Sequence, residues 1–198
     1  MIAIVHTGGA NLASVTNALA RLGRDAELTS DPARIRTASH VILPGVGAAA
    51  DAMARLEREA LVPVISGLRQ PVLGICLGMQ ILFERSTEGD VACLGILPGT
   101  VTAIAPDPAH GVTVPHMGWN DLTARGPATP LLEGVAPGTY FYFVHTYQAP
   151  AGPFVRAVTR HGGDVVAVVE HGNFRGVQFH PERSGAAGAR LLERFLAL

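Results

Sequence analysis

An apolar run, Pro71-Val72-Leu73-Gly74-Ile75, ends directly on a cysteine held between two glycines, Gly74-Ile75-Cys76-Leu77-Gly78. A strand that is apolar at every position has both faces covered, which is the habit of a parallel sheet inside an α/β fold. The Gly-x-nucleophile-x-Gly spacing between a strand and a helix is an elbow pattern. Its glycines leave room for a tight, strained turn that lifts the side chain over the sheet edge. A buried core cysteine is the competing account of Cys76 taken alone. The flanking glycines and the strand-to-helix setting favour the nucleophile. Cys93 has no such setting and reads as structural.

The same alternation recurs along the first half. Ile2 to His6 is expected as a strand, followed by Asn11 as a helix cap and by Leu12, Val15, Leu19 and Leu22 at helical spacing up to Gly23. Short strands are expected at Ala26–Thr29 and Val41–Leu43, with helices over Ala48–Arg58 and Leu77–Glu84. After about residue 90 the texture turns β-rich. Strands are expected at 101–105, 112–114, 140–144, 154–159 and 165–170, before a final helix over 186–198. The sum is an α/β fold with a central, mostly parallel (mixed) sheet flanked by helices and a β-rich second half, in one domain over residues 1–198.

Composition narrows the chemistry. Hydrophobic residues make up 48% and charged residues 16% of 198, so the chain can bury a core. A net charge of −1 leaves no basic footprint, so no nucleic-acid or membrane partner is expected. All 15 cationic residues are Arg, which excludes a P-loop lysine, a Schiff-base lysine and a Ser–Lys dyad. Two cysteines without paired spacing argue against disulfides and zinc. No apolar run is long enough to span a bilayer, and the N-terminus lacks a leader pattern, so a reducing cytoplasm is the expected location. No cofactor and no metal are expected.

Near the C-terminus stands Phe179-His180-Pro181-Glu182. In an extended segment, positions i and i+2 point the same way, so Glu182 can orient the His180 ring while His180 serves Cys76. Pro181 biases His180 towards extended backbone. By itself this tetrapeptide reads as a surface loop with a capping Glu. Together with Cys76 it completes a nucleophile, base and orienting carboxylate, the set needed for acyl transfer through a thioester. Pro44-Gly45-Val46-Gly47 closes another strand, and its amides can join that of Leu77 in an oxyanion hole; an ordinary turn is the alternative. Gln80 lies one helical turn past Cys76 and can face the same pocket.

These motifs resemble the class I (triad) glutamine amidotransferases, and within them the glutaminase subunits of imidazole glycerol phosphate synthases of histidine biosynthesis. The matching strings run almost end to end: Asn11-Leu12, Leu43 to Gly47, Gly74 to Gln80, Pro115-His116-Met117-Gly118-Trp119-Asn120, Tyr142 to Tyr147, and Gly176 to Ser184. The resemblance implies that Cys76 attacks the side-chain amide of L-glutamine. It implies that His180 protonates the departing ammonia and then activates water, with Glu182 orienting His180. It assigns the oxyanion hole to Val46, Gly47 and Leu77. It assigns glutamine binding to Gln80, Glu88, His145, Thr146 and Tyr147. It implies a heterodimer with a (β/α)8-barrel cyclase that receives the ammonia, docked over Asn11, Met117, Trp119 and Asn120. Two departures stand out: His6-Thr7 replaces the usual Asp-Tyr after the first strand, and Arg183 replaces a Lys after His-Pro-Glu. Alternatives are glutaminases serving pyridoxal phosphate, anthranilate or carbamoyl phosphate synthesis, a stand-alone Cys-His hydrolase, and a binding subunit without chemistry. The His-Met-Gly-Trp-Asn string argues against the first, and the full Cys, His and Glu set against the last.

Overall fold

The computed structural model describes residues 1–8 and 12–198. Asn11, expected as a helix cap and as part of a docking surface, lies outside the described residues. The strands are β1 (Ile2–Val5), β2 (Ala26–Thr29), β3 (His40–Leu43), β4 (Val72–Ile75), β5 (Phe83–Ser86), β6 (Val91–Ala92) and β7 (Leu97–Ala103), then β8 (His116–Asp121), β9 (Thr123–Ala124), β10 (Tyr140–His145), β11 (Tyr147–Gln148), β12 (Val155–Arg160), β13 (Asp164–His171) and β14 (Phe174–Val177). The helices are α1 (Leu12–Arg21), α2 (Pro32–Thr37), α3 (Ala49–Arg58), α4 (Val62–Ser66), α5 (Leu77–Gln80) and α6 (Gly185–Leu196).

An eight-stranded sheet in the order β2-β1-β3-β4-β14-β13-β12-β9 forms the centre. From β2 to β14 neighbours run parallel; from β14 onward they are antiparallel. This is the mixed sheet expected from the sequence. Every residue of β1 and β4 is buried, because helices cover both faces. On one face Val15 and Leu19 of α1 meet Leu191, Leu192 and Phe195 of α6, with Phe141, Phe143 and Phe179 beneath. On the other, Met53 and Leu56 of α3 pack with Val64 and Ile65 of α4 and with Phe83. The β-rich half adds a four-stranded sheet, β11-β7-β5-β6, and the antiparallel pair β8 and β10.

The topology explains how residues far apart in sequence meet. Parallel β3, β4 and β14 are neighbours, with Leu43 opposite Gly74 and Val177 opposite Ile75. Their carboxyl ends therefore open side by side onto Pro44–Gly47, Cys76 and the Gln178–His180 segment. A crevice beyond the carboxyl ends of parallel strands is where α/β sheets bind ligands.

Several elements differ from expectation. The helix expected over Leu77–Glu84 stops at Gln80, and the chain becomes β5, which pairs in parallel with β7. Phe83 and Ser86 are buried while Glu84 and Arg85 are exposed, and that burial overrides helical propensity. No strand spans 112–114. Val112 instead exchanges both backbone hydrogen bonds with Asp107, closing a short loop. Strand β8 escaped the sequence reading because its pattern is inverted. His116 faces inward and is buried, while Met117 and Trp119 face outward at 61% and 52% exposure. Strand β14 escaped because four residues containing Arg175 and Gly176 carry little β signal.

Candidate active site

Cys76 sits at the junction of β4 and α5 with φ +54° and ψ −110°, a backbone conformation that side-chain-bearing residues avoid. The surrounding packing enforces it. A Cβ placed on Gly78 would stand 1.7 Å from the Leu43 carbonyl oxygen, so only glycine lets α5 approach β3 this closely. The Cys76 amide donates to the Val177 carbonyl at 2.8 Å, which ties the elbow to β14.

His180 follows β14 in extended backbone, and its ring is buried beside the thiol. Its Nδ1 lies 2.7 Å from Glu182 Oε1. The i and i+2 juxtaposition was expected from an extended segment, but Pro181–Arg183 is one turn of 3-10 helix, and that turn swings the carboxylate back to the ring. The His180 backbone is held by β10: its amide donates to the Tyr142 carbonyl at 2.9 Å. Ser184 Oγ donates to the His180 carbonyl at 2.7 Å and accepts from the Tyr142 amide at 3.0 Å. Burial opposes a charge on His180, but its hydrogen bonds to Cys76 and Glu182 and their negative charges outweigh burial and raise its pKa to about 10. Because that value lies above the ordinary 6.5, the pairing stabilises the fold fully below about pH 6.5. The stabilisation is lost as pH rises through about 10. Burial pushes the Cys93 thiol up to about 11, so it stays protonated at neutral pH.

A cleft of about 350 Å³ opens over the sulfur. Val46, Gly47, Leu77, Gln80, Glu88, His145, Thr146 and Tyr147 all line it, together with Cys76, His180 and Arg183. Gly47 has φ +98°, which turns the backbone after β3 in a way open to glycine. Among the described residues, no backbone carbonyl takes the N–H of Val46, Gly47 or Leu77. Glu88 Oε2 accepts from the Ala49 amide at 2.8 Å and so caps α3, whose Ala48 offers no side-chain cap. Gln80 is buried and donates from Nε2 to the Tyr147 carbonyl at 2.9 Å and to Gln178 Oε1 at 3.0 Å. A larger groove of about 890 Å³ runs beneath residues 126–139, but no thiol or imidazole lines it.

The expected docking residues divide. Met117 and Trp119 are exposed; Tyr142, opposite Trp119 on β10, meets its ring edge-on at 5.8 Å, and the exposed Tyr140 lies further along β10, opposite Asp121. The Asn120 side chain turns inward, donating at 2.9 Å both to His116 and to the Arg160 carbonyl. Sequence reasoning missed three side chains at the site. Gln178 is fully buried and its Nε2 points at the Cys76 sulfur, 3.7 Å away; the i, i+2 spacing to His180 could have revealed it. Ser184 braces His180. Thr7, one of the two departures, donates its hydroxyl to the Pro44 carbonyl at 2.5 Å, directly before Gly45-Val46-Gly47. Arg183, the other, places its guanidinium 5.5 Å above the Tyr142 ring.

The family model described as glutamine amidotransferase class-I matches residues 4–198. The chain belongs to the class I glutamine amidotransferases. Its relatives within that family include a protein of Xanthomonas axonopodis pv. citri (strain 306) named imidazole glycerol phosphate synthase subunit HisH. The two are 51% identical over 197 residues, covering 100% of this chain and 97% of the relative. A protein of the same name from Xylella fastidiosa (strain Temecula1 / ATCC 700964) is 49% identical over the same shares. Among solved structures, PurLQS from Thermotoga maritima superposes with a TM-score of 0.75 at 20% identity, over 99% of this chain and 97% of that one. A structure named glutamine amidotransferase superposes with a TM-score of 0.75 at 20% identity, over 99% of this chain and 97% of that one. The last two establish the amidotransferase fold. Among the described residues of this amidotransferase, no helix is long and apolar enough to cross a membrane, and no group of three or more His, Cys, Asp or Glu side chains is placed to hold a metal.

Proposed function

We propose that this chain is the glutaminase subunit of an imidazole glycerol phosphate synthase, acting in the cytoplasm as a single-domain partner of a (β/α)8-barrel cyclase. The observation that carries the proposal is identity of about half over the full length to proteins named as that subunit. In the reaction, the Cys76 sulfur attacks the carboxamide carbon of L-glutamine. The oxygen takes up negative charge against the amides of Leu77 and of Val46 or Gly47. His180 gives its proton to the nitrogen as the C–N bond breaks, releasing ammonia and leaving a thioester. It then takes a proton from water as the hydroxyl adds to the thioester, and glutamate leaves with the sulfur restored. Glu182 holds the imidazolium in place throughout. The cyclase uses the ammonia to make imidazole glycerol phosphate and an aminoimidazole carboxamide ribotide. The exposed Met117, Trp119 and Tyr140 support a docking face on β8 and β10, since aromatic anchors dominate interfaces.

The deciding experiment measures glutamine hydrolysis by this chain alone, with the cyclase, and with the cyclase and its nucleotide ligand. The expected result is negligible hydrolysis alone and stimulation on the order of 100-fold in the full assembly. Full activity without the cyclase would sink the proposal. In the stimulated enzyme, Glu182→Gln is expected to lower kcat/KM about 100-fold. It also removes a charge that raises the His180 pKa, so the alkaline fall of the pH profile, set near 10 in the native chain, moves towards neutrality. An unmoved profile would detach Glu182 from His180.

A further inference from the structure

The cleft wall is tied to strand β8 by a chain of hydrogen bonds whose direction can be deduced at every link. A carbonyl only accepts, so His145 Nδ1, 2.8 Å from the Tyr147 carbonyl, carries a proton. Neutral His145 then accepts at Nε2, and His116 Nδ1, 2.8 Å away, donates to it. His116 Nε2 in turn accepts from the Asn120 amide at 2.9 Å, and the second Asn120 hydrogen goes to the Arg160 carbonyl. On the cleft side, Gln80 donates to the same Tyr147 carbonyl and to Gln178, and Gln178 donates towards the Cys76 sulfur. Each neutral ring is thereby held as its Nδ1–H tautomer. Protonating either ring would set an N–H against an N–H at one of its contacts and break the chain.

The surroundings oppose that protonation. His116 and His145 are both buried. The His116 ring stacks between Phe143, at 4.9 Å and 23°, and His161, at 4.2 Å and 18°. His161 Nε2 lies 2.6 Å from the Thr113 carbonyl, so it donates there. Burial is the main force holding the pKa of His116 to about 3 and of His145 to about 4. The facing titratable groups, His145 and His161 for His116 and His161 and His180 for His145, add to it.

We propose that His116 of β8 and His145 of β10, locked as neutral Nδ1–H tautomers, are positioning residues for the glutamine cleft: they fix the Tyr147 carbonyl and, through Gln80 and Gln178, the orientation of the Cys76 thiol. The assignment rests on the reading of the cleft given under Proposed function. A buried network made only for stability would not need to end on the nucleophile and on a carbonyl of the substrate cleft. This one does both.

Nitrogen-15 NMR of the imidazoles in the full chain tests the tautomers directly. Both rings are expected as Nδ1–H and unprotonated from pH 8 down to pH 5. An Nε2–H tautomer, or a titration of either ring in that range, overturns the proposal. Kinetics of the stimulated enzyme test the positioning. His116→Phe keeps a flat ring in the stack but removes the donor to His145, and is expected to raise KM for glutamine about tenfold. His116→Asn places an amide N–H where Nδ1–H stood and is expected to restore most of the loss. A wild-type KM in His116→Phe, or no recovery in His116→Asn, assigns the pair to packing alone and defeats the proposal. Failure of the native chain to hydrolyse glutamine under any condition would instead strike the functional reading, which the NMR result does not depend on.

Discussion

Cys76→Ala is expected to abolish glutamine-dependent synthesis by the assembled enzyme, by about 10³-fold or more, and to leave synthesis from added ammonium salt within about twofold of the native rate. The size follows from the role: without the sulfur no thioester forms, and what remains of the cleft only binds. The selectivity follows from the geometry. Alanine keeps the Cβ that Cys76 already carries at φ +54°, so the substitution adds no backbone strain, and the removed atom faces the cleft. Alkylation by iodoacetamide supplies the internal check. Reaction is expected at Cys76 in the native chain and not at Cys93, the one cysteine left in the variant, because burial keeps the Cys93 thiol protonated. Loss of both glutamine- and ammonia-driven synthesis would mean that Cys76 supports the fold or the docking face instead.

Gly78→Ala is expected to have the largest effect on stability. The added methyl would lie 1.7 Å from the Leu43 carbonyl oxygen, a contact with backbone that no side-chain rotation relieves. Either α5 moves off β3 or the sheet opens, and both take Cys76 and Leu77 away from Val46 and Gly47. Overpacking against backbone at a site this tight costs about 3 kcal/mol or more, which for a chain of this length lowers Tm by about 10 °C. Glutaminase activity is expected to be lost even at temperatures where the variant is folded. Calorimetry and a glutaminase assay at about 20 °C check both halves. A native Tm would show that the elbow has slack which the packing of Gly78 on Leu43 denies.

The contrast between these two residues separates what the sequence could reveal from what it could not. Cys76 announced itself, because an apolar strand, a glycine-flanked cysteine and a helix start are all local patterns. Strands β1 to β4 and helices α1 and α3 were legible for the same reason, since hydrophobic periodicity is a local consequence of a two-layer covering, whereas α2, α4 and β14 were not expected. The strands of the second half were less so. In β8 the apolar side chains Met117 and Trp119 face outward and the polar His116 and Asn120 face inward, the reverse of the pattern from which strands are recognised. The expected helix through Phe83 failed because burial against β7 and the α3 layer decides that segment, not its propensity.

By itself, the sequence pointed to the proposed reagents: Cys76, His180 and Glu182, a pair of glycine-rich turns, and a family resemblance that named glutamine. Local spacing suffices for these, because each motif is one strand end or one turn. Only the tertiary structure decided how the reagents are held. Parallel pairing of β4 with β3 and β14 brings three strand ends together; against burial, Cys76 and Glu182 hold His180 above neutrality, while burial holds His116 and His145 below it. The physical reason is one of range. A turn is dictated by neighbours along the chain, whereas the charge and tautomer of a buried imidazole are dictated by whatever the fold places against it.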